Sequence, residues 1–237
     1  MRLDIYLTEN KLCKSRTAAQ ELIRAGGVSL NGKPCTKPSQ EVCGDDRAEV
    51  TGEQLRYVGR GGLKLEYALE HFGIDLCGRQ CIDIGSSTGG FTDCMLQHGA
   101  ARVFAVDVGK DQLDASLRQD SRVVSMEQTD IRTAELPEAE FIGTDVSFIS
   151  IKLILPHIFR LLKSGGTSAV LIKPQFEAGR QNLSKKGIVR DERLRLRIRD
   201  DVVRFAEECG FSVAGVCTSP ITGGDGNVEY LMCISKP

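Results

Sequence analysis

At 237 residues the chain is long enough for one large domain joined to a small one. Its formal net charge of −1 excludes a molecule-wide pull on nucleic acid, so any basic surface must be local. No run approaches the roughly 18 consecutive apolar residues of a membrane span, and the charged start Met1-Arg2-Leu3-Asp4 is unlike a secretory leader. Nine scattered cysteines without a C-x-x-C pair read as reduced cytoplasmic thiols rather than as zinc or disulfide sites.

Residues 1–55 read as a small α+β unit. Leu3, Leu7 and Leu12 suggest one brief helix. Ser15 reads as the N-cap of a second, with Ala18, Ala19, Leu22 and Ile23 on one face and Gly26-Gly27 ending it. Val28-Ser-Leu30, Asn31-Gly32 and Lys33-Pro34-Cys35 predict a hairpin with a type I′ turn, and 42–50 a returning strand. The short, basic, glycine-rich segment 56–62 suits a linker. From residue 63 onward, apolar runs at 81–84, 103–106, 141–146, 167–172 and 211–217 alternate with helical stretches. That alternation predicts a mostly parallel sheet covered by helices on both faces. The last run, 229–234, is expected to form an edge strand.

Asp83-Ile-Gly85-Ser86-Ser87-Thr88-Gly89-Gly90-Phe91 carries a strand into a glycine-rich turn and a helix. Such a turn lets backbone approach a ligand and offers unpaired N–H groups. A P-loop needs Lys and then Ser or Thr after its second glycine, and Phe91-Thr92 stand there. A dinucleotide fingerprint needs glycine where Ser87 stands. What remains is the looser Asp-x-Gly…Gly loop of methyltransferases. Asp107 closes the next strand, 22 residues after Gly85, where a carboxylate can accept both hydroxyls of a ribose. Asp130, after the third strand, is placed to meet an adenine amino group. The plainer alternative is a tight βα turn and nothing more; the acids at three successive strand ends weigh against it.

Four more polar residues fall where such a sheet brings them together. Asp145 ends the fourth strand, Lys173 the fifth, Glu229 opens the last, and Lys64 lies just before the large domain's first strand. A lysine after an apolar strand is costly to bury unless paired. The chemistry that fits is transfer of a methyl group to a weakly acidic hydroxyl, with an amine to take the proton and a second ammonium nearby to ease the loss of the first one's own. A set of structural ion pairs fits the same residues. The three histidines show no ligand spacing, and no metal is expected.

Basic residues gather in two places. Lys185, Lys186 and Arg190 sit in one loop ahead of an arginine-rich helix, and Arg2, Lys11, Lys14, Arg16, Arg24 and Lys33 are spread through the first 55 residues, with Arg60 just beyond. These are the candidate phosphate contacts. With no tryptophan and 5% aromatic residues, a base-stacking platform is not expected.

The order Lys64, Asp145, Lys173, Glu229 resembles the Lys-Asp-Lys-Glu tetrad of FtsJ-type ribose 2′-O-methyltransferases. Arg2-Leu-Asp4, Ser15-Arg16, Leu22-Ile23, Gly27-Val28 and Asn31-Gly32 look like the alpha-L (S-four type) RNA-binding domain. Together with Arg60-Gly61-Gly62-Leu63-Lys64, Asp145-Val-Ser-Phe-Ile-Ser150 and Lys173-Pro-Gln-Phe-Glu177, nearly the whole chain is similar to the TlyA family. The resemblance implies a Rossmann-like class I methyltransferase with a seven-stranded sheet behind the small RNA-binding domain. It implies S-adenosylmethionine as donor and cytidine 2′-O-methylation of ribosomal RNA, on RNA or ribosomal subunits, with Lys173 as proton acceptor. DNA, which lacks the 2′-hydroxyl, is excluded as substrate. Asp83, Gly85 to Phe91, Asp107, Asp130 and Asp145 become the expected cofactor residues. Two other readings stand beside it. One is a non-catalytic RNA-binding or ribosome-assembly factor. The other is the haemolysin-like role for which the family has also been named, and which no membrane segment supports here.

Overall fold

A computed structural model describes residues 1–52 and 56–237, apart from the side chains of Thr17 and Glu21. The chain divides into two compact units, Met1–Arg60 and Gly61–Pro237. The boundary expected at residue 55 lies outside the described residues. Gly61 and Gly62, read above as linker, open the first helix of the second unit.

In the first unit, α1 (Leu3–Glu9) and α2 (Arg16–Arg24) pack on a small antiparallel sheet of β1 (Val28–Leu30), β2 (Lys33–Pro34) and β3 (Ala48–Val50), with β1 in the middle. Ser15 caps α2 as expected, its hydroxyl accepting the Ala18 N–H at 3.1 Å. Asn31 and Gly32 both take positive φ (52° and 74°), the signature of a type I′ turn. The returning strand is shorter than expected. Only Ala48–Val50 pairs with β1, while Val42 serves the core of Leu3, Leu7, Ile23 and Val28.

In the second unit the elements run α3 (Gly61–Phe72), β4 (Gln80–Ile84), α4 (Gly90–Gln97), β5 (Arg102–Val106), α5 (Ala115–Gln119), β6 (Val123–Met126), β7 (Ala139–Thr144), α6 (Leu155–Leu161), β8 (Leu162–Ile172), α7 (Pro174–Glu177), α8 (Glu192–Glu208), β9 (Ser212–Thr218) and β10 (Tyr230–Ser235). The sheet has seven strands in the order β6-β5-β4-β7-β8-β10-β9. β4 to β8 are parallel, and β10 enters antiparallel between β8 and β9. This is the mostly parallel, Rossmann-like arrangement that the alternation of runs predicts.

Period-two alternation sorts the two faces. Ile82, Ile84 and Ile142 meet Leu155, Ile158, Val202 and Ala206 of α6 and α8 in the main core. Their neighbours point the other way: a Cβ on Gly143 would strike Phe91 and Met95 of α4, and one on Gly215 would meet Phe72 of α3. The expected edge strand is an internal one. β10 is buried along nearly its whole length, as a strand with neighbours on both sides requires, whereas half-exposed β9 takes the edge. Among the described residues no helix is long and apolar enough to cross a membrane.

Candidate active site

Open parallel sheets bind ligands beyond the carboxyl ends of their strands, where strand order reverses. Here that point lies at β4, whose neighbours are β5 and β7, and a cleft of about 610 Å³ opens there. Its wall includes Gly85 and Ser87 after β4, Asp107, Val108 and Gly109 after β5, Asp130, Ile131 and Arg132 after β6, and Asp145 to Ile149 after β7.

The turn after β4 is shaped by close approach rather than by phosphate. Gly85 sits at φ +84°, and a Cβ on it would come within 2.5 Å of the Asp145 carbonyl oxygen. Glycine therefore lets the ends of β4 and β7 lie side by side. Gly89, at φ +99°, has the same need against Leu117. Ser87 takes a left-handed φ of 46° and turns its N–H onto Asp107 Oδ2 at 2.8 Å. Asp107 Oδ1 accepts the Gly109 N–H at 2.7 Å. A carboxylate has about four lone-pair sites, so Asp107 keeps acceptor capacity facing the cleft.

Of the eleven expected cofactor residues, Gly85, Ser87, Asp107, Asp130 and Asp145 line the cleft. Asp83, Ser86, Thr88, Gly89, Gly90 and Phe91 are not brought to its wall. Phe91 is a core residue packed under Gly143, and Ser86 is buried. Asp83 is fully buried behind the loop, where its Oδ2 accepts the Thr92 hydroxyl at 2.6 Å and ties the strand to α4. Its other oxygen has no partner among the described residues.

Burial, reinforced by the charges of Asp145 and Asp107 and opposed by the Thr92 hydrogen bond, pushes the Asp83 carboxyl up to about 7. A carboxyl raised in the folded state holds a proton that the unfolded chain has already lost. Its stabilising contribution is complete below about pH 4 and drains away as pH rises to about 7, at ~1.4 kcal/mol per pH unit. Asp83→Asn cannot ionise. The difference in melting temperature between variant and wild type is therefore expected to move in the variant's favour between pH 4 and pH 8. An offset equal at both pH values contradicts this.

Asp130 is not a free acceptor. Arg132 grips it through Nε and Nη2 at 2.6–3.0 Å and through its own backbone N–H at 2.9 Å, which holds the Asp130 carboxyl down at about 2. Sequence reasoning missed Arg132, although a cation two residues after an exposed acid is a signal for such a clamp.

The four residues of the expected tetrad form two ion pairs, one buried and one reaching the cleft wall. Lys64 on α3 meets Glu229 at 2.6 Å, with the residues 7% and 2% exposed. Lys173 Nζ lies 2.6 Å from Asp145 Oδ1. The pairs adjoin. Tyr230 is registered opposite Ile172, so Glu229 and Lys173 come next on two antiparallel neighbours. Asp145 Oδ2 lies 3.7 Å from where a Gly61 Cβ would be, one helical turn before Lys64. Lys173 Nζ also donates to Ser147 Oγ at 2.7 Å, a contact that sequence reasoning missed.

Phe148 is unlike any other aromatic residue of the chain. It is 92% exposed on the cleft wall, holds a left-handed φ of 64°, and rests against Phe176 with ring centroids 5.2 Å apart. A bulky residue in that backbone region carries strain, which gathers at functional sites. An aromatic in an apolar stretch reads as core, so its exposure was not legible.

The expected RNA contacts are at the surface. Lys185, Lys186 and Arg190 are exposed, and Asn227, itself buried, holds their loop by bonding Val189 N–H and the Gly187 carbonyl. In the first unit Lys11, Lys14, Arg16, Arg24 and Lys33 are exposed, while Arg2 and Arg60 are half-buried. Arg2 and Arg16 are both held by the buried Asp4 carboxylate, at 2.9 and 3.0 Å.

The model of the FtsJ-like methyltransferase family matches residues 57–236, and that of the S4 domain matches residues 1–47. Hemolysin A of Brachyspira hyodysenteriae is 44% identical, over 98% of each chain. The 16S/23S rRNA (cytidine-2′-O)-methyltransferase TlyA of Mycobacterium tuberculosis is 42% identical, over 98% of this chain and 88% of its own. A solved hemolysin-named structure from Streptococcus thermophilus superposes with a TM-score of 0.80 at 45% identity, covering all of this chain and 88% of that one. The chain belongs to the TlyA group of FtsJ-like methyltransferases, enzymes whose methyl donor is S-adenosylmethionine, and carries an S4 domain ahead of its catalytic unit.

Proposed function

We propose that this enzyme methylates the 2′-hydroxyl of a cytidine in ribosomal RNA, with the unit Met1–Arg60 carrying its RNA-binding domain and Gly61–Pro237 as the transferase. The observation that carries the reading is the pair of adjoining lysine–carboxylate contacts, Lys64–Glu229 and Lys173–Asp145, of which Asp145 lines the cleft. The relative named for cytidine 2′-O-methylation supports it.

The cleft fits the donor. Asp107 would take the ribose hydroxyls with its remaining lone pairs, Val108 and Ile131 offer apolar surface to the adenine, and Asp130 would meet the adenine amino group with what Arg132 leaves it. When bound, S-adenosylmethionine supplies a sulfonium methyl, its carbon–sulfur bond breaking as the carbon–oxygen bond to the ribose forms. Lys173, in its neutral form, takes the hydroxyl proton on Nζ and later releases it to solvent. Lys64, fixed by Glu229, presents a positive charge to the oxygen as negative charge develops there. Asp145, on the cleft wall, pairs with the Lys173 amine. Lys185, Lys186, Arg190 and the basic residues of the first unit hold RNA phosphates.

Phe148 stacks on the target base once it is turned out of the RNA. Because the side chain is almost wholly exposed, Phe148→Ala is expected to leave the melting temperature unchanged. Loss of ~1–3 kcal/mol of stacking lowers kcat/KM for RNA by about 5–150-fold. An unchanged kcat/KM removes the stacking role.

The function is tested by incubating the enzyme with methyl-labelled donor and ribosomal subunits, then cleaving the RNA with alkali. A labelled, alkali-resistant linkage after a cytidine is the expected result. A label on a base removes the ribose assignment.

A further inference from the structure

Resting on Lys173 as the proton acceptor proposed above, we infer that Ser147 is a positioning residue that aims the Lys173 lone pair at the incoming hydroxyl. Lys173 Nζ has two polar neighbours, and they differ in kind. Asp145 Oδ1 is closer, at 2.6 Å, but the approach falls outside hydrogen-bond angles and leaves that oxygen without a bonded donor among the described residues. Ser147 Oγ, at 2.7 Å, receives a well-formed hydrogen bond. Charge therefore holds the amine near Asp145, and Ser147 sets its rotation. Ser147 is itself on the cleft wall, between Asp145 and the exposed Phe148.

The stereochemistry follows from tetrahedral nitrogen. One corner of Nζ is Cε and a second carries the N–H fixed on Ser147, which sets the directions of the other two. One of these is left for the cleft. As an ammonium, the lysine loses the proton at that corner to solvent. As an amine, it then carries its lone pair at the same corner, where the 2′-hydroxyl proton arrives as the carbon–oxygen bond forms. Without Ser147 the amine turns freely about its Cε–Nζ bond, and an N–H occupies that corner much of the time. The serine hydroxyl need not touch the substrate to matter.

Ser147 is exposed, so its replacement removes little from the fold. Ser147→Ala is expected to lower kcat for methyl transfer about tenfold, a fraction of the ~10²–10⁴ typical of general-base help. KM for RNA and calorimetric affinity for S-adenosylhomocysteine should stay within about twofold. Ser147→Thr keeps the hydroxyl and restores most of kcat. A second readout does not depend on turnover. With ¹⁵N-labelled lysine at low temperature, the Lys173 ammonium gives a slowly exchanging ¹H–¹⁵N signal in wild type and in Ser147→Thr, and loses it in Ser147→Ala. An unchanged kcat in Ser147→Ala, a loss that only follows weaker binding, a Thr variant that restores nothing, or a signal that persists in Ser147→Ala each overturns the inference. If wild type transfers no methyl to ribose, the proposed function fails, and the ammonium signal alone judges Ser147.

Discussion

Lys173→Ala is expected to abolish methyl transfer in practice, with single-turnover rates down by ~10²–10⁴-fold or more, while RNA and donor affinities hold within about twofold. Lys173 directly follows β8 at the carboxyl edge of the sheet, 9% exposed, with its amine near both Asp145 and Ser147. A ribose hydroxyl keeps its proton at neutral pH, so the step is slow unless a base stands ready. The same variant separates the enzyme from a factor that only binds RNA: in the latter, wild type and variant bind alike and neither transfers a methyl group. Wild-type rates in Lys173→Ala contradict the assigned role.

Glu229→Ala is expected to cost the second unit much of its stability. It strands the Lys64 ammonium in a site where the lysine is 7% exposed and the acid 2%. Removing one partner of a buried pair typically costs ~3–5 kcal/mol, because the remaining charge keeps its desolvation penalty without its counter-charge. For a unit of this size the melting temperature falls on the order of 10 °C. Replacing both charges, as Lys64→Met with Glu229→Gln, removes the stranded ion and should regain most of that loss. The double variant stays inactive, because the fixed positive charge is gone. Recovered stability with recovered activity would mark the pair as a structural bridge only.

Most of the fold was legible because it is written in local chemistry. Asn31-Gly32 is the dipeptide a type I′ turn demands, and both residues take the positive φ it needs. Ser15 precedes its helix as a cap should. β4, β5 and β7 are short apolar runs closed by Asp83, Asp107 and Asp145, and a carboxylate at a strand's end marks the ligand side of an open sheet. The place of β10 was not legible, since burial on both faces depends on which strands flank it.

The site was legible by residue type and less so by geometry. Lys64 and Glu229 are 165 positions apart, and only the packing of α3 beside β10 brings them together. Asp83 illustrates the reverse case. It has the position expected of a cofactor acid, yet its side chain alternates to the α4 face, away from the cleft. Ser147 and Phe148 escaped notice because one acts through a neighbour and the other through exposure, and neither can be read from spacing.

The account depends on a sugar oxygen, not a base, receiving the methyl group. Its most direct test uses a ribosomal RNA fragment in two forms, identical except that the mapped nucleotide carries ribose in one and 2′-deoxyribose in the other. Both forms should bind equally, and only the ribose form should gain label under single turnover. Label on the deoxy form at that nucleotide would contradict the account.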